Sequence, residues 1–101
     1  MSQSKVKVLV VDDDEDFVSA VKELLERNNY EVVTAFSGRE ALQKTAEIPS
    51  IHIALLDLVM PMMDGFTLLE KLKDIIPGLT VMMVTGQGTV QTAVDAIKHG
   101  A

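Results

Sequence analysis

Three apolar segments of this chain each end at residue types that take part in phosphate chemistry. In chain order, residues 6–11 precede Asp12 and Asp13, residues 51–56 precede Asp57, and residues 79–84 precede Thr85. If the segments are parallel strands of one sheet, their carboxyl ends meet at one edge, where open α/β sheets bind ligands. Carboxylates that lie close together in a cleft need a cation to offset their repulsion. The pattern therefore predicts a metal site, and a metal beside a carboxylate and a hydroxyl favours phosphate chemistry.

Asp57 is the best candidate for a reacting group. It directly follows the most apolar segment of the chain, and a carboxylate can act as a nucleophile that forms an aspartyl-phosphate. Phosphoryl transfer needs positioning, a metal and donors to the phosphoryl oxygens, and little other chemistry from the protein. The alternative is that Asp57 only caps the loop before Pro61. Thr85 could donate its hydroxyl to a phosphoryl oxygen, and its alternative is a structural role after a strand.

Five consecutive acids follow the first apolar segment. Asp12 and Asp13 come directly after the predicted strand, where oxygen ligands can hold a hard divalent cation such as Mg²⁺. Asp14 is a candidate N-cap for the helix that follows. Glu15 and Asp16 fit the first turn of that helix, where carboxylates are favoured.

Composition limits the classes of protein that the chain can belong to. Its 101 residues fit one domain, and 48% hydrophobic residues is typical of a globular chain. A formal net charge of −6 argues against nucleic-acid binding. The lack of cysteine excludes disulfides and thiolate sites, and no apolar segment is long enough to span a membrane. We expect a cytoplasmic domain without nucleic-acid or membrane partners. His52 and His99 are remote from the acids, so we assign them no catalytic or ligand role.

The elements that must position these residues are visible in the hydrophobic pattern. Strand-like apolar segments alternate with segments of helical period, which is typical of βα units around a parallel sheet. Residues 17–29 predict a first helix, Ser37 opens a second that stops at Pro49, and the remaining two follow Gly65 and Thr89. The predicted order is β1α1β2α2β3α3β4α4.

Four motifs together resemble the receiver domain of two-component response regulators. They are VVDDD at 10–14, LLDLVMP at 55–61, MDG at 63–65 and VTG at 84–86. Their order and spacing agree with the family over the entire chain. Residues 86–89 and 96–101 are most similar to receivers attached to sigma-54-dependent transcription activators.

The resemblance implies an α/β fold with a flavodoxin-like, doubly wound parallel sheet, here with four strands in the order 2-1-3-4 and four helices. It implies a single receiver domain over residues 1–101 that lacks the last βα unit. Asp57 would accept phosphate from a sensor histidine kinase or from acetyl phosphate. Asp12, Asp13, Asp57 and the backbone carbonyl of Val59 would hold Mg²⁺, and Thr85 would be the switch residue. Such a domain is a regulatory phosphoacceptor that catalyses its own phosphorylation and dephosphorylation, not an enzyme of a classical family.

Family members continue beyond Gly100 and Ala101 with a fifth strand, a lysine that pairs with the phosphoryl group, and a fifth helix. From this resemblance we expect an end at Ala101 that is engineered and phosphorylation that is impaired. We also expect a fourth strand with an unpaired edge and a sheet face that is uncovered beside the first helix. Both features predict a homodimer formed through the fourth strand and the uncovered face.

Two alternatives belong to other functional classes. A Mg²⁺-dependent phosphohydrolase with an aspartate nucleophile needs a second acid two residues later, where this chain has Val59. A truncated receiver that acts only as a protein-interaction or oligomerising module would bind Mg²⁺ weakly and accept no phosphate.

Overall fold

The computed structural model describes residues 5–57, 65–84 and 90–100. Within these ranges, strands and helices alternate in the predicted order. The elements are β1 (Lys7–Val11), α1 (Glu15–Arg27), β2 (Glu31–Ala35), α2 (Gly38–Glu47), β3 (Ile53–Asp57), α3 (Gly65–Ile75), β4 (Thr80–Val84) and α4 (Val90–Gly100).

The described strands form one parallel sheet in the order β2-β1-β3-β4, which confirms the predicted topology. Parallel neighbours need crossover connections, and α1, α2 and α3 supply them. β1 lies next to β3 because the chain returns across β1 after β2. This reversal places the carboxyl ends of β1 and β3 side by side.

Side chains of the central strands alternate between two apolar clusters, one on each face of the sheet. The first cluster contains Leu9 and Leu56 and packs against α2 and α3, whereas the second contains Val10 and Leu55 and packs against α1 and α4. Burial on both faces is characteristic of parallel strands and explains why these segments are almost continuously apolar.

The position of α4 corrects one prediction from the sequence. We expected the sheet face beside the first helix to be uncovered, but α4 packs there against α1. Ala93, Val94 and Ile97 of α4 are buried and share an apolar cluster with Val21 and Leu25 of α1. The right-handed crossover rule fixes a helix only when it joins two parallel strands, and α4 follows the last strand that the structure describes. Burial of its apolar side chains therefore decides where α4 lies.

The predicted open edge is present among the described strands. β4 pairs with β3 on one side, and no described strand pairs with its other side. Val81, Met82 and Met83 are half-buried. Phe66 of α3 is 62% exposed, so apolar surface is present outside the two clusters.

The third strand begins at Ile53, two residues later than the apolar segment suggested. His52 precedes it, and its Nδ1 accepts the N–H of Lys7 at 3.0 Å. An imidazole therefore takes the place of a backbone carbonyl as the partner of Lys7 N–H at this point.

Candidate functional site

The carboxyl ends of β1 and β3 bring two of the predicted aspartates to neighbouring positions. Val11 pairs with Leu56 in the parallel register, and the next residues along the two segments are Asp12 and Asp57. The N–H of Asp12 donates to the carbonyl of Ala35 at 3.2 Å, which extends the pairing of β1 with β2 by one residue. The backbone of Asp12 is therefore held at the same sheet edge as the backbone of Asp57.

A turn at the end of β1 orients the first carboxylate. Oδ1 of Asp12 accepts the N–H of Asp14 at 3.0 Å, and Oδ1 of Asp14 accepts the N–H of Phe17 at 3.2 Å. Asp14 is the N-cap of α1, as predicted. Asp12 is half-buried and Asp13 is exposed. Asp12 and Asp13, which the sequence predicts to hold a cation, thus lie between the end of a buried strand and the start of a capped helix.

Negative charge is concentrated at this edge. Glu15 and Asp16 are exposed and form the acidic first turn of α1, as the sequence predicted. The ion pairs of the described residues are Lys7–Glu31, Arg27–Glu23 and Lys44–Glu40, and none of them involves Asp13, Asp14, Glu15 or Asp16. A cation at this edge would therefore meet a favourable potential.

The donors at the site fit a hard divalent cation. Carboxylate oxygens are the ligands that Mg²⁺ takes, with water completing its octahedral shell. Among the side chains that the structure describes, no three His, Cys, Asp or Glu groups are close enough to hold a metal ion. The predicted set also includes the Asp57 side chain and Val59, and both lie outside what the structure describes.

For Thr85, the predicted hydroxyl donor, the structure describes only the preceding residue. Val84 is the last residue of β4 and pairs with Asp57 in the register of β3 and β4. Thr85 follows Val84 and lies outside the described residues. The structure thus brings the backbones of Asp12 and Asp57 to adjacent strand ends. The roles of all five predicted site residues, Asp12, Asp13, Asp57, Val59 and Thr85, stay predictions.

Comparison with known proteins identifies the family. The family model "Response regulator receiver domain" matches residues 8–101. The chain belongs to this family. The receiver is 37% identical over 101 residues to the transcriptional regulatory protein ZraR of Escherichia coli K12, covering 100% of this chain and 23% of ZraR. It therefore spans about a quarter of that relative.

Two solved structures show the same fold. The receiver domain of NtrC4 from Aquifex aeolicus is 41% identical, with a TM-score of 0.70 over 95% of this receiver and 78% of that chain. A chain of the CheX–CheY–BeF3–Mg²⁺ complex from Borrelia burgdorferi is 32% identical, with a TM-score of 0.75 over 95% and 73% of the two chains. The predicted similarity to receivers of sigma-54-dependent activators is confirmed by ZraR and NtrC4.

Receivers act in two-component signalling and are not enzymes of a classical family. In the described ranges of this receiver, no helix has both the length and the apolar character needed to cross a membrane.

Two features of the structure were not foreseen from the sequence. One is the hydrogen bond from Asp14 N–H to the Asp12 carboxylate. Aspartates often accept from the backbone N–H two residues later, so the sequence did contain a signal for this bond. The other is a polar cluster around His52 and Lys7 at the opposite sheet edge. Its partners are 43 and 45 residues apart in sequence, so local spacing carries no signal for it.

Proposed function

We propose that this receiver is a Mg²⁺-dependent phosphoacceptor of two-component signal transduction, with Asp57 as the acceptor. The observation that carries the proposal is the adjacent position of Asp12 and Asp57 at the ends of two paired strands, in a chain of this family. The phosphate donor would be a sensor histidine kinase, and small donors such as acetyl phosphate would serve in its absence. Transfer is a property of the receiver itself, which also catalyses the loss of its phosphate.

The proposed reaction is a single displacement at phosphorus. A carboxylate oxygen of Asp57 forms a bond to phosphorus while the bond from phosphorus to the donor group breaks. With acetyl phosphate the electron pair of the broken bond leaves on acetate, and with phosphohistidine it leaves on the imidazole nitrogen. The Asp57 carboxylate needs no prior deprotonation at neutral pH, because carboxyl groups are normally ionised there.

Mg²⁺, when bound, neutralises charge on the transferring oxygens and helps to orient them. Asp12, Asp13, Asp57 and the carbonyl of Val59 would hold it. Asp12 is suited to this role because its carboxylate is positioned by the Asp14 N–H, which limits its reorganisation on binding. A CheY complex with BeF3 and Mg²⁺ is among the similar structures, which supports a phosphate-like ligand and Mg²⁺ in this fold.

Thr85 would act as the switch. Its hydroxyl donates to a phosphoryl oxygen on Asp57, so the conformation with this bond is favoured only after phosphorylation. Support comes from register, because Thr85 follows Val84, which pairs with Asp57.

A homodimer through β4 is a further part of the proposal. β4 has one edge with no partner among the described strands, and its sequence Thr-Val-Met-Met-Val carries no charge or proline. Proteins usually protect such edges with charged residues, proline or a covering element. Pairing with a second copy satisfies the unpaired backbone groups. The same edge is what favours the second candidate function, an interaction module that receives no phosphate.

Mass measurement after incubation with acetyl phosphate and Mg²⁺ distinguishes the two functions. We expect one phosphoryl adduct on the wild type and none on Asp57→Asn. Asp74→Asn is the matched control, because Asp74 is an exposed aspartate in the last turn of α3, remote from the carboxyl ends of β1 and β3, and it should retain the adduct. A wild type without adduct would favour the interaction module, and an equal adduct on Asp57→Asn would show that another residue is the acceptor.

A further inference from the structure

A pocket lies at the amino edge of the sheet, opposite the carboxyl edge that carries Asp12. Its volume is about 310 Å³, and its lining residues are Lys5, Lys7, Glu31, Ser50 and His52. Lys7 and Glu31 begin β1 and β2, and His52 directly precedes β3. Small-molecule pockets usually start at about 300 Å³, so this one has room for a small ligand.

Lys7 lines this pocket and is held there by two other lining residues. Its Nζ donates to Oγ of Ser50 at 2.8 Å and lies 3.3 Å from Oε2 of Glu31, and its side chain is 20% exposed. An ammonium group has three N–H donors. Two are directed at Ser50 and Glu31, so one is left to meet a ligand. Ser50 accepts from Lys7 through its oxygen, and its own O–H has no acceptor among the described residues.

The hydrogen bond of His52 indicates which ring nitrogen carries the proton. Its Nδ1 accepts the N–H of Lys7 at 3.0 Å, so in the neutral ring the proton is on Nε2. The backbone of His52 is held on both sides, because its N–H donates to the Lys7 carbonyl at 2.9 Å and its carbonyl accepts from Thr80 N–H at 3.1 Å. The Nε2–H is therefore the remaining donor of an exposed imidazole that lines the pocket.

The pocket is rich in donors and poor in acceptors. Lys5 has no ion-pair partner in the described part of the chain, and Lys7, Ser50 and His52 each retain one N–H or O–H. Glu31 is the single acidic residue of the lining and already pairs with Lys7. Two lysines against one glutamate give this pocket a local positive charge in a chain whose net charge is −6.

We propose that this pocket binds a small oxyanion, the phosphate group of a free small molecule. A phosphate offers several acceptor oxygens and up to two negative charges. The pocket offers four donor side chains, two of which are positively charged ammonium groups. A phosphate therefore matches the pocket better than a singly charged carboxylate does. The site is separate from the Asp57 site, because the two lie at opposite ends of the strands, and it needs no metal.

The test is a titration of the ¹⁵N-labelled chain with inorganic phosphate, followed by NMR. Chloride is exchanged for phosphate at constant ionic strength, and EDTA is present so that the carboxyl edge holds no Mg²⁺. We expect saturable shifts of the Lys7, Ser50 and His52 amide signals. Acetate is titrated in parallel and should bind more weakly than phosphate.

Three variants assign the donors. Lys5→Gln and Ser50→Ala should each weaken phosphate binding by roughly three- to fivefold, as expected for exposed donors. His52→Asn keeps an acceptor for Lys7 N–H and removes the Nε2–H donor, so it should weaken phosphate binding while hydrogen exchange of the Lys7 amide stays slow. The matched control is Lys22→Gln, which removes an exposed lysine of α1 away from the pocket and should leave binding unchanged.

Shifts that rise linearly with phosphate and do not saturate would overturn the proposal. The proposal would also be overturned if Lys5→Gln, Ser50→Ala and His52→Asn all bound phosphate as tightly as the wild type does. Stronger binding of acetate than of phosphate would overturn the assignment to a phosphate group. None of these results depends on whether Asp57 accepts phosphate, so this inference and the proposed function fail separately.

Discussion

Asp12 is the residue through which the backbone geometry and the proposed chemistry are most directly linked. Its Oδ1 accepts Asp14 N–H, and it follows the strand that pairs with the strand ending at Asp57. Asp12→Asn keeps an oxygen for Asp14 N–H and removes one negative charge. We expect Mg²⁺ affinity to fall at least about tenfold, because even substitutions that act on metal ligands indirectly cost about that much.

Unfolding with and without Mg²⁺ measures this prediction. At a Mg²⁺ concentration ten times Kd, the free energy of unfolding of the wild type should rise by about 1.4 kcal/mol, because only the folded state binds the ion. Asp12→Asn should gain much less, and without Mg²⁺ it should be no less stable than the wild type, since it relieves carboxylate repulsion. Asp16→Asn, an exposed acid of α1, is the control. Equal Mg²⁺ gains for Asp12→Asn and the wild type would exclude Asp12 as a ligand.

At the residue scale, the sequence predicted most of what depends on strand ends and helix starts. Asp12 and Asp57 follow apolar segments, and Asp14 precedes a helical pattern, so their places could be derived from local spacing. The bond between His52 and Lys7 could not, because it joins residues 45 positions apart. Side-chain partners across neighbouring strands depend on register, which the sequence pattern leaves open.

The elements show where sequence-based prediction succeeds and where it does not. Four strands and four helices were predicted in the observed order, because hydrophobic period and caps are local signals. The side on which α1, α2 and α3 pack follows from right-handed crossovers. α4 joins no pair of described strands, so that rule does not apply to it. The prediction of an uncovered face beside α1 was wrong for this reason.

Packing of α4 against α1 makes a quantitative prediction. Ile97 is fully buried in the cluster shared with α1, whereas the neighbouring Lys98 is exposed. Ile97→Ala should lower the free energy of unfolding by about 2–5 kcal/mol, the usual cost of this truncation in a core. Lys98→Ala should change it by less than about 0.5 kcal/mol. Urea denaturation measures both, and similar small effects for the two variants would show that α4 does not pack on this face in solution.

The whole molecule has different chemistry at the two ends of its strands. The acids of residues 12–16 and the proposed phosphoacceptor are at the carboxyl edge, and the positive pocket formed around Lys7 is at the amino edge. The lateral edge at β4 is neither acidic nor basic, because β4 carries no charged residue. Association through β4 therefore leaves both ends of the strands accessible, and phosphate chemistry and self-association are compatible in one assembly.

Oligomeric state tests the role of that lateral edge. Sedimentation should show a dimer of the wild type that dissociates on dilution. Thr80→Lys places a charge at the exposed first position of β4 and should shift the equilibrium toward monomer, because inserted lysines block pairing of strand edges. Ser19→Lys adds the same charge at an exposed position of α1 and should leave the dimer intact. A wild type that stays monomeric throughout the concentration range would contradict pairing through β4. If Thr80→Lys and Ser19→Lys lost the dimer equally, the cause would be the net charge, which both variants change by the same amount. The edge of β4 would then not be the interface.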